Sequence, residues 1–291
     1  LHTANWLPDL FLKKINKDED WYLFSPSDVR DLHESFGLEF DKKYKKYCKQ
    51  AEEGKIKNFK VIKAKDLWKR MLRVLFETGH PWMTFKDNAN MRYSNSHEGV
   101  VHSSNLCTEI FLHTKPSQFD KGIKTEVGET AVCNLSSVNL KEHLNDEGEI
   151  DFKLLAKTIS IQMRMLDNVI DLNFYPTKEA ENSNLKHRPV GAGSMGWADV
   201  FNSYEVNFSS DEAVKFSDEL YEFISYHCIF NSTKIAKEKG AYSTYEGSLW
   251  SQDILPIDTY KSLIDYLGEK QMIHRGKKYC PELDWKKVRN H

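Results

Sequence analysis

The sequence predicts an α/β protein, in which amphipathic helices dominate and short strands stand between them. Three observations carry this reading. Asp151 to Leu172 places Leu154, Leu155, Ile159, Met163, Leu166, Val169 and Ile170 on one side of a helix. Lys65 to Thr78 repeats the helical stripe with Leu67, Trp68, Met71, Leu72 and Leu75, and Gly79 follows as its cap. Runs such as Trp21-Tyr22-Leu23-Phe24 and Pro81-Trp82-Met83-Thr84-Phe85 read as short strands.

The elements follow in order. Pro8 to Ile15 starts a short amphipathic helix with Leu10, Phe11 and Ile15 apolar, and Asp18-Glu19-Asp20 is a polar loop. Ser25-Pro26-Ser27-Asp28 is a turn. Residues 28–53 have roughly helical spacing, and Gly54 is their stop. Lys86 to Asn90 reads as polar loop, and Thr114 to Gly128 as a loop joining two extended pieces. Tyr175-Pro176 ends the helix that began at Asp151. Ser209 and Glu212 have capping-box spacing and open a long helix to about Lys239, with Gly240 as its C′ residue and Lys237 and Lys239 at the negative end of its dipole. Turns and short helices, including Trp285 to Val288, make up the tail.

Composition excludes several classes. With 41 Lys+Arg against 43 Asp+Glu, the net charge of −2 gives no electrostatic case for nucleic-acid binding. The basic run Lys42-Lys43-Tyr44-Lys45-Lys46 reads as a solvated helix face. Five cysteines without a CxxC pair argue against a secreted disulfide framework and for a reducing, cytoplasmic setting. No apolar run approaches the ~20 residues that span a bilayer, so no membrane association is expected. No Met opens the 291 residues, and Val288-Arg289-Asn290-His291 closes them without a helix stop, so the chain reads as a piece of something longer.

The chemistry concentrates in Ser104-Asn105-Leu106-Cys107-Thr108-Glu109-Ile110. In an extended segment, Asn105, Cys107 and Glu109 share one face. A carboxylate beside a thiol disfavours the thiolate, so the trio does not suit a cysteine-protease nucleophile. It suits a neutral thiol that exchanges a hydrogen atom, with Glu109 as general base for a substrate hydroxyl and Asn105 holding a neighbouring polar group. Cys133 lies 26 residues on, within Ala131-Val132-Cys133-Asn134-Leu135-Ser136-Ser137. Arg188-Pro189-Val190-Gly191-Ala192-Gly193-Ser194-Met195-Gly196 contains GxGxxG, but no buried strand precedes it. The glycines therefore read as tight backbone packing rather than a dinucleotide cradle.

Taken together, the two cysteine motifs resemble the catalytic large subunit of class I ribonucleotide reductase. Trp6-Leu7-Pro8-Asp9-Leu10-Phe11, His187-Arg188-Pro189-Val190-Gly191, Ala236-Lys237-Glu238-Lys239-Gly240 and Ile254-Leu255-Pro256-Ile257-Asp258-Thr259-Tyr260 extend the resemblance, in the same order, over essentially the whole chain. It implies part of a ten-stranded α/β barrel with a central finger loop. It also implies that Cys107 is the thiyl-radical cysteine that takes the 3′ hydrogen of a ribonucleoside diphosphate. Glu109 would deprotonate the 3′ hydroxyl, Asn105 would hydrogen-bond the ribose hydroxyls, and Cys133 would be one of two reductant cysteines. The implied partners are a radical-generating dimetal small subunit, thioredoxin or glutaredoxin as reductant, and the remaining large-subunit segments within a large-subunit dimer. ATP and deoxynucleotide effectors would bind those segments, and this chain would bind no cofactor or metal itself.

The resemblance also implies that residues 1–291 are a partial catalytic barrel domain. The amino-terminal ATP-cone, the first strands with the partner of Cys133, the phosphate loop, the radical-relay tyrosines and the cysteine tail would lie elsewhere. Cys48, Cys228 and Cys280 lack the surrounding pattern to replace that partner. A trimmed fragment, one half of a split gene or an extein piece would each have this form, inactive alone. A cobalamin-dependent reductase of the same superfamily and a non-catalytic scaffold retaining the fold are the alternatives. The amino-terminal stretch and His187 to Phe201 look closer to class I, and the costly polar trio argues against a decayed scaffold.

Overall fold

The computed structural model describes residues 3–259 and 283–289. Tyr260, Cys280 and the closing Asn290-His291 lie outside the described residues. The chain divides into two units, Leu1–Lys115 with Gly247–Ile273, and Pro116–Glu246 with His274–His291.

In the first unit, β1 (Ala4–Leu7) pairs in parallel with β4 (Trp82–Phe85). Between them run α1 (Asp9–Asn16), β2 (Asp20–Phe24), α2 (Arg30–His33), α3 (Gly37–Glu52), β3 (Phe59–Lys63) and α4 (Ala64–Thr78), with β2 and β3 antiparallel. The expected single helix over 28–53 is thus two, broken at Ser35-Phe36. Aromatic residues fill the core: Phe11, Trp21, Phe40 and Tyr44 are buried, and Trp21 stacks on Tyr44 with centroids 4.3 Å apart. Gly79 ends α4 in the left-handed region, as its sequence position predicts.

Residues 86–91, expected as loop, form α5 (Lys86–Met91). Their polarity serves burial rather than solvent. Asp87 is fully buried, and its carboxylate accepts from the backbone N–H of Asp9 at 2.7 Å and of Gly37 at 2.8 Å. Those are the first residues of α1 and α3. One carboxylate therefore caps two helices whose own N-cap residues, Pro8 and Phe36, make no side-chain cap. Asn90 donates to Lys86 O and Val101 O and accepts from Val101 N. It thereby fixes the chain that leads to the cysteine motif.

In the second unit, the expected loop over 114–128 contains a hairpin of β5 (Gln118–Asp120) and β6 (Ile123–Glu126). Its two-residue turn, Lys121-Gly122, has positive φ at both positions, 47° and 83°. That is the geometry a tight hairpin requires. β7 (Asn134–Asn139) and β8 (Val190–Met195) form a parallel pair, with α6 (Phe152–Leu172) and α7 (Lys178–His187) between them in sequence. Gln162 on α6 donates to Ser136 O at 3.0 Å and to Gly193 O at 3.4 Å, bolting helix to sheet. α8 (Trp197–Ser203) follows, and then α9 (Asp211–Lys239), which packs along α6. The α9 cap is Ser210 rather than Ser209, with Ser210 Oγ accepting from Ala213 N at 3.1 Å. α10 (Trp285–Arg289) packs on α9, where Trp285 donates to Glu222.

The glycine-rich stretch forms the strand β8. A Cβ on Gly193 would lie 3.1 Å from Ser137 Oγ, and one on Gly196 would lie 2.7 Å from Asn139 Oδ1 and 3.1 Å from Lys141 N. Close approach of neighbouring chain explains these glycines, and a helix, α7, precedes them where a dinucleotide fold has a strand. The described residues hold four two-stranded sheets within a mixed α/β fold.

Candidate active site

The Asn105–Glu109 segment is not extended. Thr108 N donates to Asn105 O at 3.2 Å, closing a turn, and Thr108 itself has φ of 64°. Asn105 Oδ1 accepts from Ile110 N at 3.1 Å, and Asn105 N donates to Ile110 O at 3.4 Å. The alternation that would align three side chains of a strand is therefore replaced by a turn at a loop tip. Local polar groups favour this outcome, because an Asn side chain that satisfies backbone N–H groups competes with a sheet ladder. Cys107 sits inside the turn and is exposed, as are Asn105 and Glu109. Thr108 Oγ1 donates to Cys107 O at 2.6 Å.

The loop's base is rigid where its tip is open. Val101 is fully buried and exchanges two bonds with Asn90, and its carbonyl also accepts from Trp6 Nε1 at 3.0 Å. Trp6 packs against Phe111 on the returning side, with centroids 5.6 Å apart. Tyr93 bonds the buried His113 ring at 2.6 Å. A thiol and a carboxyl are thus carried on a short loop whose two ends are anchored by indole, amide and imidazole groups.

Cys133 belongs to the second unit, half-buried at the entrance to β7, where its Sγ contacts Asn134 O at 3.8 Å. Cys48 and Cys228 are half-buried, and burial pushes both thiols up to about 11. They remain protonated at neutral pH and are poor sources of thiolate.

Sequence reasoning missed a second polar constellation. Glu129 and His187 are buried, and His187 Nε2 meets Glu129 Oε2 at 2.7 Å. Lys186 donates to Glu129 Oε1 at 2.8 Å, and His187 Nδ1 meets Thr244 Oγ1 at 2.8 Å. Burial would raise the Glu129 carboxyl, but its bonds to Lys186 and His187 outweigh that and bring it down to about 2. The next residue, Arg188, reaches Asp167 Oδ1 at 2.8 Å and Asp171 Oδ1 at 2.6 Å on α6, and Lys239 at the end of α9 reaches Asp167 Oδ2 at 2.5 Å. The His187-Arg188 pair and the Lys239-Gly240 helix end are thus architectural. The only sequence signal for them is charged residues placed beside Pro189 and Gly240.

A family model described as the ribonucleotide reductase barrel domain matches residues 1–291. The chain belongs to the ribonucleotide reductase barrel-domain family. Its mixed α/β fold is that of a ribonucleotide reductase barrel domain. Among curated relatives, a ribonucleoside-diphosphate reductase subunit alpha from Chlamydia muridarum is 48% identical over 272 residues, covering 94% of this chain and 25% of that protein. The Helicobacter pylori subunit alpha is 37% identical, covering 99% of this chain and 40% of its own length. The Danio rerio large subunit is 39% identical, covering 94% and 33%. The chain spans about a quarter of the length of the Chlamydia relatives it matches. Among the described residues, no helix is long and apolar enough to cross a membrane.

Proposed function

We propose that this chain supplies the radical-bearing loop of a class I ribonucleoside-diphosphate reductase, acting within a larger assembly in the cytoplasm. The observation that carries the proposal is the exposed turn Asn105–Thr108, which offers the Cys107 thiol at a loop tip within two residues of a carboxyl and an amide. Relatives of this chain carry the name ribonucleoside-diphosphate reductase, which fits the substrate.

The resemblance to ribonucleotide reductases gives each group its role. Cys107 S–H gives up its hydrogen atom to the radical arriving from a dimetal small subunit, and the thiyl then takes the 3′ hydrogen of the ribose. Glu109 accepts the 3′ hydroxyl proton, which helps the 2′ hydroxyl leave as water. The deoxygenated carbon is reduced by two thiols, one of them Cys133, which end as a disulfide, and the 3′ hydrogen returns from Cys107. Thioredoxin or glutaredoxin restores the dithiol. Asn105 spends its amide oxygen on Ile110 N, which leaves its NH₂ to donate to ribose oxygens. A radical at Cys107 requires a shielded site, so the exposed loop is covered in the working enzyme by other segments and by substrate.

The same reasoning assigns residues 1–291 to one part of the catalytic domain. The second reductant cysteine, phosphate loop, radical relay, effector sites and dimer contacts are assigned to other large-subunit segments. The test is turnover of a ribonucleoside diphosphate with small subunit and dithiol. The chain alone is expected to be silent, and the complex with the remaining large-subunit segments active. Measurable turnover by the chain and small subunit without those segments would overturn the division of labour. Undiminished turnover of a Cys107→Ala complex would overturn the radical assignment.

A further inference from the structure

The first unit holds a cluster of potential metal ligands outside the cysteine loop. His33 and Glu34 stand at the end of α2, and His102 lies five positions before Cys107. One ligand atom from each of the three falls within 4.8 Å of the others. His102 Nε2 lies 3.1 Å from Glu34 Oε2, and the two imidazoles stack with centroids 3.9 Å apart. The buried Nδ1 of His102 has no hydrogen-bond partner. We propose that His33, Glu34 and His102 form a binding site for a divalent transition-metal ion of the zinc class, which ties α2 to the base of the Asn105–Glu109 loop.

Two features favour an ion over a chance meeting of side chains. Two donor atoms bound at about 2.1 Å in tetrahedral array lie roughly 3.4 Å apart, and the His102–Glu34 hydrogen bond, at 3.1 Å, already holds two donors near that spacing. The backbone that carries each imidazole is anchored. The His33 carbonyl accepts from the buried Lys86 Nζ at 2.7 Å. The chain at Val101, one position before His102, is clamped by Asn90. Ligands fixed by their own neighbours need little ordering on binding, the condition for a site of useful affinity. Two imidazoles and one carboxylate select borderline ions over calcium or magnesium, which prefer oxygen donors. Glu34 and His33 are exposed, so solvent completes the coordination and the ion has a path in.

The test is calorimetric titration of the chain with zinc chloride, paired with absorption spectra of the cobalt(II) adduct. It compares the unchanged chain with His33→Ala, His102→Ala, Glu34→Gln and the double variant Cys107→Ser, Cys133→Ser. One equivalent of zinc is expected. Its affinity should fall at least ~10-fold in each of the three ligand variants and stay unchanged in the cysteine double variant. Cobalt should give d–d bands without thiolate charge transfer. Circular dichroism establishes that each variant is folded, and Glu34→Gln, which preserves shape, carries the comparison if an alanine variant is not. Absence of binding to the folded chain, binding unaffected by Glu34→Gln, or charge-transfer bands lost in the cysteine variant would each overturn the site.

Discussion

Two polar constellations in the first unit use the same chemical groups to opposite ends. At the Asn105–Glu109 loop, a carboxyl, an amide and a thiol stand exposed on a turn closed by three local bonds. At α5, a carboxylate and an amide are fully buried, and their bonds reach back to residues 9, 37 and 101. The first arrangement spends the Asn105 amide oxygen on Ile110 N and leaves the thiol and the carboxyl at the surface. The second spends all of them on architecture, including the segment that carries the first. Exposure, long-range bonding and the identity of the bonded atoms separate a reactive polar residue from a structural one; polarity by itself does not.

The comparison breaks most sharply at Cys107. Cys107→Ala in the assembled complex is expected to lower turnover by at least ~10⁴-fold while leaving assembly and thermal unfolding unchanged, since the thiol supports no part of the fold. Glu109→Gln should lower turnover by about 10²–10⁴-fold, the usual share of a general base, with little effect on substrate binding. A large loss of stability in either variant would place these side chains with the structural class instead.

Asp87 should behave in the reverse manner. Asp87→Ala leaves the N–H groups of Asp9 and Gly37 buried without an acceptor, at a cost of roughly 1–3 kcal/mol each. Denaturant unfolding of the chain is expected to show a combined loss of about 2–6 kcal/mol, and Asp87→Asn a smaller one because one oxygen survives. A loss below about 1 kcal/mol would show that water or a shifted backbone caps the two helices.

What was legible in the sequence divides along the same line. The long helices α4 and α6 follow from apolar periodicity and α9 from its capping residues; Gly79 and Gly240 directly follow α4 and α9, whereas α6 stops at Leu172, ahead of Tyr175-Pro176. The cysteine motifs are local strings and were found as such. The turn at Asn105 was not found, because alternation fits a strand as well as a loop until the Asn105–Ile110 bond is known. α5 and the Glu129–His187 pair escaped for a related reason. Lys86 to Asn90 and Glu129 look solvated in sequence, and only partners tens of residues away make their burial affordable.

Acid titration sharpens the contrast between buried carboxyls. Burial, with help from Asp87, pushes the Asp9 carboxyl up to about 6 from an ordinary 3.8. Between those values the folded chain holds a proton that the unfolded chain releases, so this group lowers stability as pH rises from about 4 to 6, after which its effect is level. Asp9→Asn should therefore raise stability at pH 7–8 by roughly 1–3 kcal/mol and flatten the slope between pH 4 and 6. Glu129 has the opposite sign. Its carboxyl is held near 2 by Lys186 and His187 against burial, so its contribution is present above about 4.5 and is lost as pH falls through 2. Glu129→Gln should cost roughly 2–3 kcal/mol at pH 7 and less than about 1 kcal/mol at pH 2, read from urea unfolding at each pH.

Packing rather than polarity is tested at the glycine-rich stretch, where Gly193 lies within β8 and Gly196 caps α8 just beyond it. At Gly196, φ is 83° and an added Cβ meets backbone at Lys141 N as well as Asn139 Oδ1, so Gly196→Ala combines strain with an unyielding contact. A loss of about 2–3 kcal/mol is expected. At Gly193 the backbone is extended and the nearest atom is Ser137 Oγ at 3.1 Å, a hydroxyl that can rotate aside. Gly193→Ala should then cost only about 1 kcal/mol, and the double variant Gly193→Ala, Ser137→Ala about half of that, since the obstructing atom is gone. If β8 instead cradled a nucleotide, Gly193→Ala would weaken nucleotide binding by the assembled enzyme with stability unchanged. Thermal unfolding and equilibrium binding on the same variant distinguish the two.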